Sequence, residues 1–259
     1  MRLDRFLSGQ TAHSRKDADA FIRSGAVTVN GAVIRKPDTN VDPDADTVTL
    51  RGAPVIYRKN NYFLLHKPEG VITASRDKKQ KTVLDLLKPE DRLPGLFPAG
   101  RLDIDTSGLL LITDDGQLAH KMLSPKHHAP KYYLAQLRDR VPQSCIDAFR
   151  DGILLREGDS EEPCMPAACV EIAPRLAVIE LHEGKYHQVR RMFAAAGNHV
   201  EKLLRVQIGM LQLPVNLPAG DYLRIFNKDA DLVLKKSDIS EVCAFCEQNY
   251  SSYWIKSGI

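Results

Sequence analysis

The chain has no apolar run near the ~18 residues that a bilayer-spanning helix requires, so no membrane span is expected. Its N-terminus, MRLDRFLSGQTAHSRKDADAF, lacks the apolar stretch of ~7–15 residues that marks a secretory signal. Cysteine is scarce and odd in number, five in 259 residues, which argues against a disulfide scaffold and for a reducing compartment. Internal repeats and low-complexity tracts are absent. With 43% hydrophobic and 27% charged residues, the composition is neither disordered nor fibrous. These absences lead us to expect a soluble, cytoplasmic, globular chain, and the length allows one or two domains.

What is there begins with charge. The net value of +3 is too small to name a partner. Its distribution says more: residues 1–36 carry seven Arg or Lys against three Asp, whereas residues 228–259 carry four Lys against five acids. A basic N-terminal unit suggests contact with a polyanion, although a solvated basic face has the same composition. Leu3, Phe6 and Leu7 are spaced as on one helix face. Ser14 precedes RKDADAFIRSG as an N-cap, Ala18, Phe21 and Ile22 give that helix an apolar face, and Gly25 can end it. Val27 and Val29 alternate, Asn30-Gly31 suits a tight hairpin, and Thr47–Leu50 supplies another short strand. Residues 51–60 read as a linker.

Beyond it, NYFLLHKP starts as a buried strand that stops at Pro68, and residues 77–81 read as a polar loop. Residues 82–87 read as a short helix, LLLIT (109–113) as a central strand, YYLAQL (132–137) and LAVIEL (176–181) as alternating strands, and HQVRRMFAAAG (187–197) as a helix closed by Gly197. A mixed sheet with a few helices, α+β, summarises the pattern.

The segment most suited to chemistry is GRLDIDTSGLLL (100–111), where polar residues sit just before a buried strand. Asp103 and Asp105 are two apart, so an extended segment would point both to one face. By spacing alone, paired carboxylates fit a glycosidase, a metal site, or solvated turn and capping groups.

This segment resembles the central motif of the RNA pseudouridine synthases, in the RsuA family. Three further segments resemble that family in order: Lys131-Tyr132-Tyr133-Leu134, EGKYHQVRRMFAAAGNHV (183–200), and Leu203-Leu204-Arg205 followed by Gly209 and LPAGDYLRI (217–225). The N-terminal pattern resembles the alpha-L RNA-binding module shared with a small-subunit ribosomal protein. The resemblance covers about residues 1–227. It implies an alpha-L unit over residues 1–58, a mixed, mainly antiparallel catalytic sheet with flanking helices over 59–230, and an extension of open role over 231–259.

The resemblance implies a uridine isomerised to pseudouridine in ribosomal RNA, with the small-subunit enzymes nearest in wording, and ribosomal RNA or a small-subunit assembly particle as partner of a monomer. Asp103 would be the nucleophile, which must be ionised and fixed. Arg190 would be its basic partner, Tyr133 would stack on the target base, and Leu203 would form an apolar wall. Arg101 would fill the space of an extruded nucleotide or hold a phosphate. Arg2, Arg5, Arg15, Lys16 and Arg23 would contact phosphates, which positions a protein on RNA. Tyr132 stands where the family often has a small residue, so a slip of one would make it the pocket tyrosine. Reactant and product are isomers, so no cofactor and no metal are expected.

Other clusters read more blandly. His120, His127 and His128 lie in or near a polar loop beside the expected RNA, and His187 reads as a helix cap or hydrogen-bonding group. Cys243 and Cys246 with Cys164 and Cys169 have unusual spacing for a zinc site. Residues 240–248 read as a helix, and Trp254 is the only tryptophan. The sequence also admits a large-subunit enzyme, a non-catalytic RNA-binding assembly factor, and a glycosidase, which needs two separated carboxylates.

Overall fold

A computed structural model of the chain describes residues 1–124, 129–157 and 160–256, with side chains for these apart from 157, 160 and 251–256. Helices α1 (Leu3–Gln10) and α2 (Arg15–Ser24) open the chain. Ser14 caps α2 reciprocally: its hydroxyl accepts from Asp17 N–H, and the Asp17 carboxylate accepts from Ser14 N–H. Gly25 ends α2 at φ 79°, the left-handed conformation that glycine adopts at least cost. Strands β1 (Val27–Val29), β2 (Ala32–Val33), β3 (Val48–Leu50) and β4 (Ala53–Pro54) form a small antiparallel sheet. Leu3, Phe6, Leu7, Ala18, Ile22, Val27, Val41 and Val48 are its core.

The linker reading of 51–60 is corrected. Arg51 and Gly52 take positive φ angles and turn the chain into β4, so a second hairpin occupies that stretch. Val55 and Tyr57 pack on the small core, and Tyr57 stacks on Phe6 at 5.9 Å. The Gln10 amide brackets Arg58, accepting from its N–H at 2.8 Å and donating to its carbonyl at 3.0 Å. A polar, proline-containing stretch hid a short edge strand.

The large sheet contains β5 (Tyr62–Lys67), β6 (Phe97–Ala99), β7 (Ser107–Thr113) and β8 (Lys131–Leu137), and a separate hairpin follows as β9 (Leu154–Glu157) and β10 (Ser160–Pro163). β11 (Ala168–Ala173), β12 (Leu176–Leu181), β13 (Val200–Ile208), β14 (Leu211–Gln212) and β15 (Tyr222–Ile225) complete it. The order is β11-β12-β8-β13-β7-β5-β15, with β6 on β7 and β14 on β13. Every pairing is antiparallel except β13 with β7. Gly108 sits at that parallel contact with φ 117°, where a Cβ would collide with the Arg205 backbone.

Both faces of the sheet are buried, so its strands are apolar almost throughout. Phe63, Leu65, Leu110, Ile112, Tyr133 and Ala135 enter one core, while Tyr62, Leu64, Leu109, Leu111, Tyr132 and Leu134 enter the other. This is the strict alternation of a strand. The first face carries α4 (Gln143–Asp151) and α5 (Gln188–Ala195) through Phe149, Met192 and Phe193. The second carries α3 (Gly116–Leu123), α6 (Asn227–Ala230) and α7 (Ile239–Lys256). The helix read over 240–248 is therefore twice as long, and its Val242, Cys243, Cys246 and Tyr250 are buried on the sheet. No helix among the described residues is long and apolar enough to cross a membrane.

Candidate active site

The segment from Arg101 to Thr106 is a loop whose carbonyls all have donors. Arg205 Nη1 donates to the Arg101 carbonyl at 3.3 Å, and the Thr73 hydroxyl donates to that of Leu102 at 2.7 Å. Lys67 Nζ reaches the carbonyls of Asp103 (2.9 Å), Ile104 (3.4 Å) and Thr106 (2.9 Å). Gly70 N–H also serves Ile104, and Arg190 Nη2 donates to Asp105 at 2.9 Å. Lys67 is wholly buried and Arg205 is 3% exposed. Charged donors make the stronger hydrogen bonds, so three cations hold this loop by its backbone.

The loop is also a turn, with Thr106 N–H donating to the Asp103 carbonyl at 3.1 Å. The expectation that Asp103 and Asp105 share one face is corrected, because a turn sends them apart. Asp103 lines a cavity, while the Asp105 carboxylate lies 3.1 Å from Arg190 Nε. Arg190 as the direct partner of Asp103 is corrected for the same reason: it pairs with Asp105, and its Nη1 donates to the Val200 carbonyl at 2.8 Å. Lys67 lies close enough for its charge to interact with that of Asp103, and His187 Nε2 lies 3.6 Å from Asp103 Oδ1.

The cavity measures about 430 Å³ and brings together Asp103, Tyr133, Leu203 and Arg101. Its walls also include Lys131, Arg205, Lys185 and Tyr186. Among the described residues Asp103 is the one carboxylate in that lining, against Arg101, Lys131, Lys185 and Arg205. A glycosidase would need a second carboxylate. Tyr132 points into the opposite core and its hydroxyl donates to the Ser237 carbonyl at 2.7 Å, so Tyr133 is the pocket tyrosine. The Arg205 guanidinium lies 6.0 Å from the Tyr133 ring centre.

Burial pushes the Lys131 ammonium down to about 8, with the Arg205 charge adding to the effect. Burial likewise pushes Lys67 down to about 8, against the pull of Asp103 and Asp105. In the sequence, Lys131 and Arg205 fall inside motifs that give them no role of their own, and Lys67 reads as the end of a strand. No local signal marks Lys67, whose partners lie up to 39 residues away. His187 occupies the N-cap position of α5, but its side chain makes no capping bond and its backbone is left-handed (φ 47°).

The five N-terminal cations lie outside this cavity. Asp4, 4% exposed, receives Arg2 at 2.9 Å and Arg15 at 3.1 Å, and Arg23 pairs with Asp19 at 2.8 Å. Arg5 and Lys16 are exposed. The five cysteines are buried and free, and no group of three or more His, Cys, Asp or Glu gathers as a metal site among the described residues. His127 and His128 lie outside the described residues.

The chain is similar to known proteins over most of its length. Residues 61–195 match the RNA pseudouridylate synthase family, and residues 1–46 match the S4 domain family. The chain is 40% identical over 223 residues to ribosomal small subunit pseudouridine synthase A of Escherichia coli, covering 86% of this chain and 95% of that protein. It is 39% identical over 234 residues to the uncharacterized RNA pseudouridine synthase YtzG of Bacillus subtilis, covering 90% of this chain and 98% of that protein. A crystal structure of a pseudouridylate synthase matches with a TM-score of 0.63 at 34% identity, over 90% of this chain and 99% of that one.

Proposed function

The chain belongs to the RNA pseudouridylate synthase family, and from that premise we propose that it isomerises one uridine of small-subunit ribosomal RNA, with Asp103 as nucleophile on an extruded base. The observation that carries this reading is a single carboxylate, held by its loop, in a cavity whose other charged lining residues are all cations. Near-full-length similarity to small-subunit enzymes supports the choice of RNA.

The reaction breaks the bond between uracil N1 and ribose C1′, turns the base, and forms a bond from C5 to C1′. The C5 proton leaves and N1 gains one, so atoms and electrons balance without an oxidant. A covalent step at C1′ or at C6 of the base requires an ionised carboxylate that does not wander. The Lys67 charge attracts that carboxylate, and the braced loop fixes it. Tyr133 stacks on the base and its hydroxyl carries the C5 proton. Leu203 packs against the ring, and Arg101 fills the space that the uridine vacates. Arg190 acts through Asp105, as a positioning residue for the loop. Extrusion costs a few kcal/mol. Phosphate contacts by Arg2, Arg5, Arg15, Lys16 and Arg23 help supply that energy.

The test is pseudouridine mapping by carbodiimide labelling and primer extension on unmodified small- and large-subunit ribosomal RNA, free and in assembly particles. One new stop in small-subunit RNA with wild type is expected. Asp103→Asn should give no stop while RNA affinity stays within about threefold. A stop in large-subunit RNA overturns the substrate, and substantial activity in Asp103→Asn overturns the nucleophile. Tight binding with no stop on any RNA favours a binding protein without catalysis.

A further inference from the structure

Tyr186 is 67% exposed, and it lines the wall of the cavity that contains Asp103. Its ring lies parallel to that of His187, with centres 4.0 Å apart and planes 16° apart. One face of Tyr186 is thus covered, and exposure of this size leaves the other face open. The pair is half of a stack that ends in solvent at the cavity.

The segment that presents the pair is braced. The Gln188 side chain accepts from Lys185 N–H at 2.9 Å and donates to Glu183 at 2.6 Å. Lys185 Nζ donates to Glu162 at 2.7 Å, and Arg191 Nη1 donates to the Tyr186 carbonyl at 3.3 Å. His187 itself takes the left-handed conformation, φ 47° and ψ 36°, which tips its ring under Tyr186 and toward Asp103. A non-glycine residue held there is a departure that surrounding structure must maintain. An exposed tyrosine on a loose loop needs no explanation, but one on a braced loop over a strained histidine does.

We propose that Tyr186, backed by His187, is a stacking platform for the nucleobase next to the target uridine in the RNA. The inference rests on the proposed function and deepens it, by assigning a binding place to a second nucleotide. Extruding a uridine removes a stacking partner from each neighbour. An aromatic face replaces that partner for any base, because every base has a π-face. Tyr133 is buried to 9% exposure and serves the target, whereas Tyr186 stands outside it and serves the neighbour.

The test uses full-length protein and a small-subunit RNA fragment spanning the mapped uridine, either intact or with an abasic nucleotide on one side of the target. Conversion is followed under single-turnover conditions with enzyme below saturation. On intact RNA, Tyr186→Ala should lose about tenfold in rate, the scale of one base-stacking contact. Tyr186→Phe should stay within about twofold, which separates stacking from hydrogen bonding and from misfolding. With the abasic nucleotide on the side that Tyr186 serves, wild type should fall to the level of Tyr186→Ala, and the variant should lose nothing more. If Tyr186→Ala loses the same factor on intact and both abasic RNAs, or loses none on intact RNA, the platform is overturned while the enzyme reading stands. If wild type converts no RNA, the enzyme reading falls and the platform falls with it.

Discussion

Lys131 lines the cavity, donates to the Ala129 carbonyl at 3.1 Å, and sits two residues before the Tyr133 ring. Lys67 lies behind the Asp103 loop. Burial depresses both to about 8, below the ordinary lysine value near ~10.4. Both are therefore charged below about pH 8 and lose their protons as pH rises through it. A neutral amine has two N–H groups, too few for the carbonyls of Pro68, Asp103 and Thr106 that Lys67 serves at 2.9–3.0 Å. The expected outcome is an alkaline fall in kcat/KM beginning near pH 8 and steepening to two protons. Lys131→Arg keeps its charge and should reduce the limiting slope to one, as a pH–rate profile of both proteins would show. The sequence made Asp103 and Tyr133 visible, because each lies in a motif whose neighbours are local. Lys67 was not visible as a clamp, because its role exists only when residues 67 and 103–106 meet. The shared face of Asp103 and Asp105 was read from spacing that assumed an extended chain; the 103–106 turn separates the carboxylates and puts that of Asp105 against Arg190, which the family resemblance had paired with Asp103.

At the scale of elements, α7 shows what lies outside the recognised pattern. It closes the second face of the sheet through Val242, Cys243, Cys246 and Tyr250, and Tyr132 of β8 ties itself to Ser237 just before the helix. The strand that carries Tyr133 is thereby held from behind by the C-terminal extension. Val242 is fully buried, so Val242→Asp would place an unpaired carboxyl group in that layer. A cost of at least ~3 kcal/mol is expected. For a protein of this size that is a fall in Tm of roughly 6–12 °C, measurable by thermal unfolding. A drop of only a degree or so would mean that α7 is not part of the cooperative unit. Strands β5, β7, β8 and β12 were legible, from apolar runs that stop at turn residues and from alternation, whereas β6, β9, β10, β11 and β14 were not read. The strand order was not legible: β13, which entered only through the family resemblance at residues 203–205, runs between β8 and β7 and makes the one parallel strand pairing of the sheet among the described residues. Nor was β4, since two residues including a proline carry no periodic signal.

For the whole molecule, a net charge of +3 conceals two concentrations of cations. One lines the Asp103 cavity with Arg101, Lys131, Lys185 and Arg205; the other lies on α1 and α2 and near their ends. Salt dependence can weigh the second directly, because each phosphate that is no longer neutralised reduces the slope of log K against log salt by ~0.7–0.9. The five N-terminal cations are not equivalent in such a test. Burial works against ionisation of Asp4, yet hydrogen bonds from Arg2 and Arg15 win and hold its carboxyl below the usual range. Replacing Arg2 and Arg15 would strand a buried carboxylate, and removing the partner of a buried charge is destabilising. Arg5 and Lys16 are exposed and hold no such partner in place. Arg5→Gln with Lys16→Gln should therefore reduce the salt slope by ~1.4–1.8 and leave Tm unchanged. Arg2→Gln with Arg15→Gln should reduce the slope by a similar amount and lower Tm as well. Titrating labelled small-subunit RNA with each protein from roughly 50 to 200 mM salt, the range over which phosphate-dominated binding falls steeply, separates the two cases. An unchanged slope in the Arg5 and Lys16 pair would mean that this face of the N-terminal unit does not meet the RNA, and that the cavity cations alone account for its electrostatic attraction.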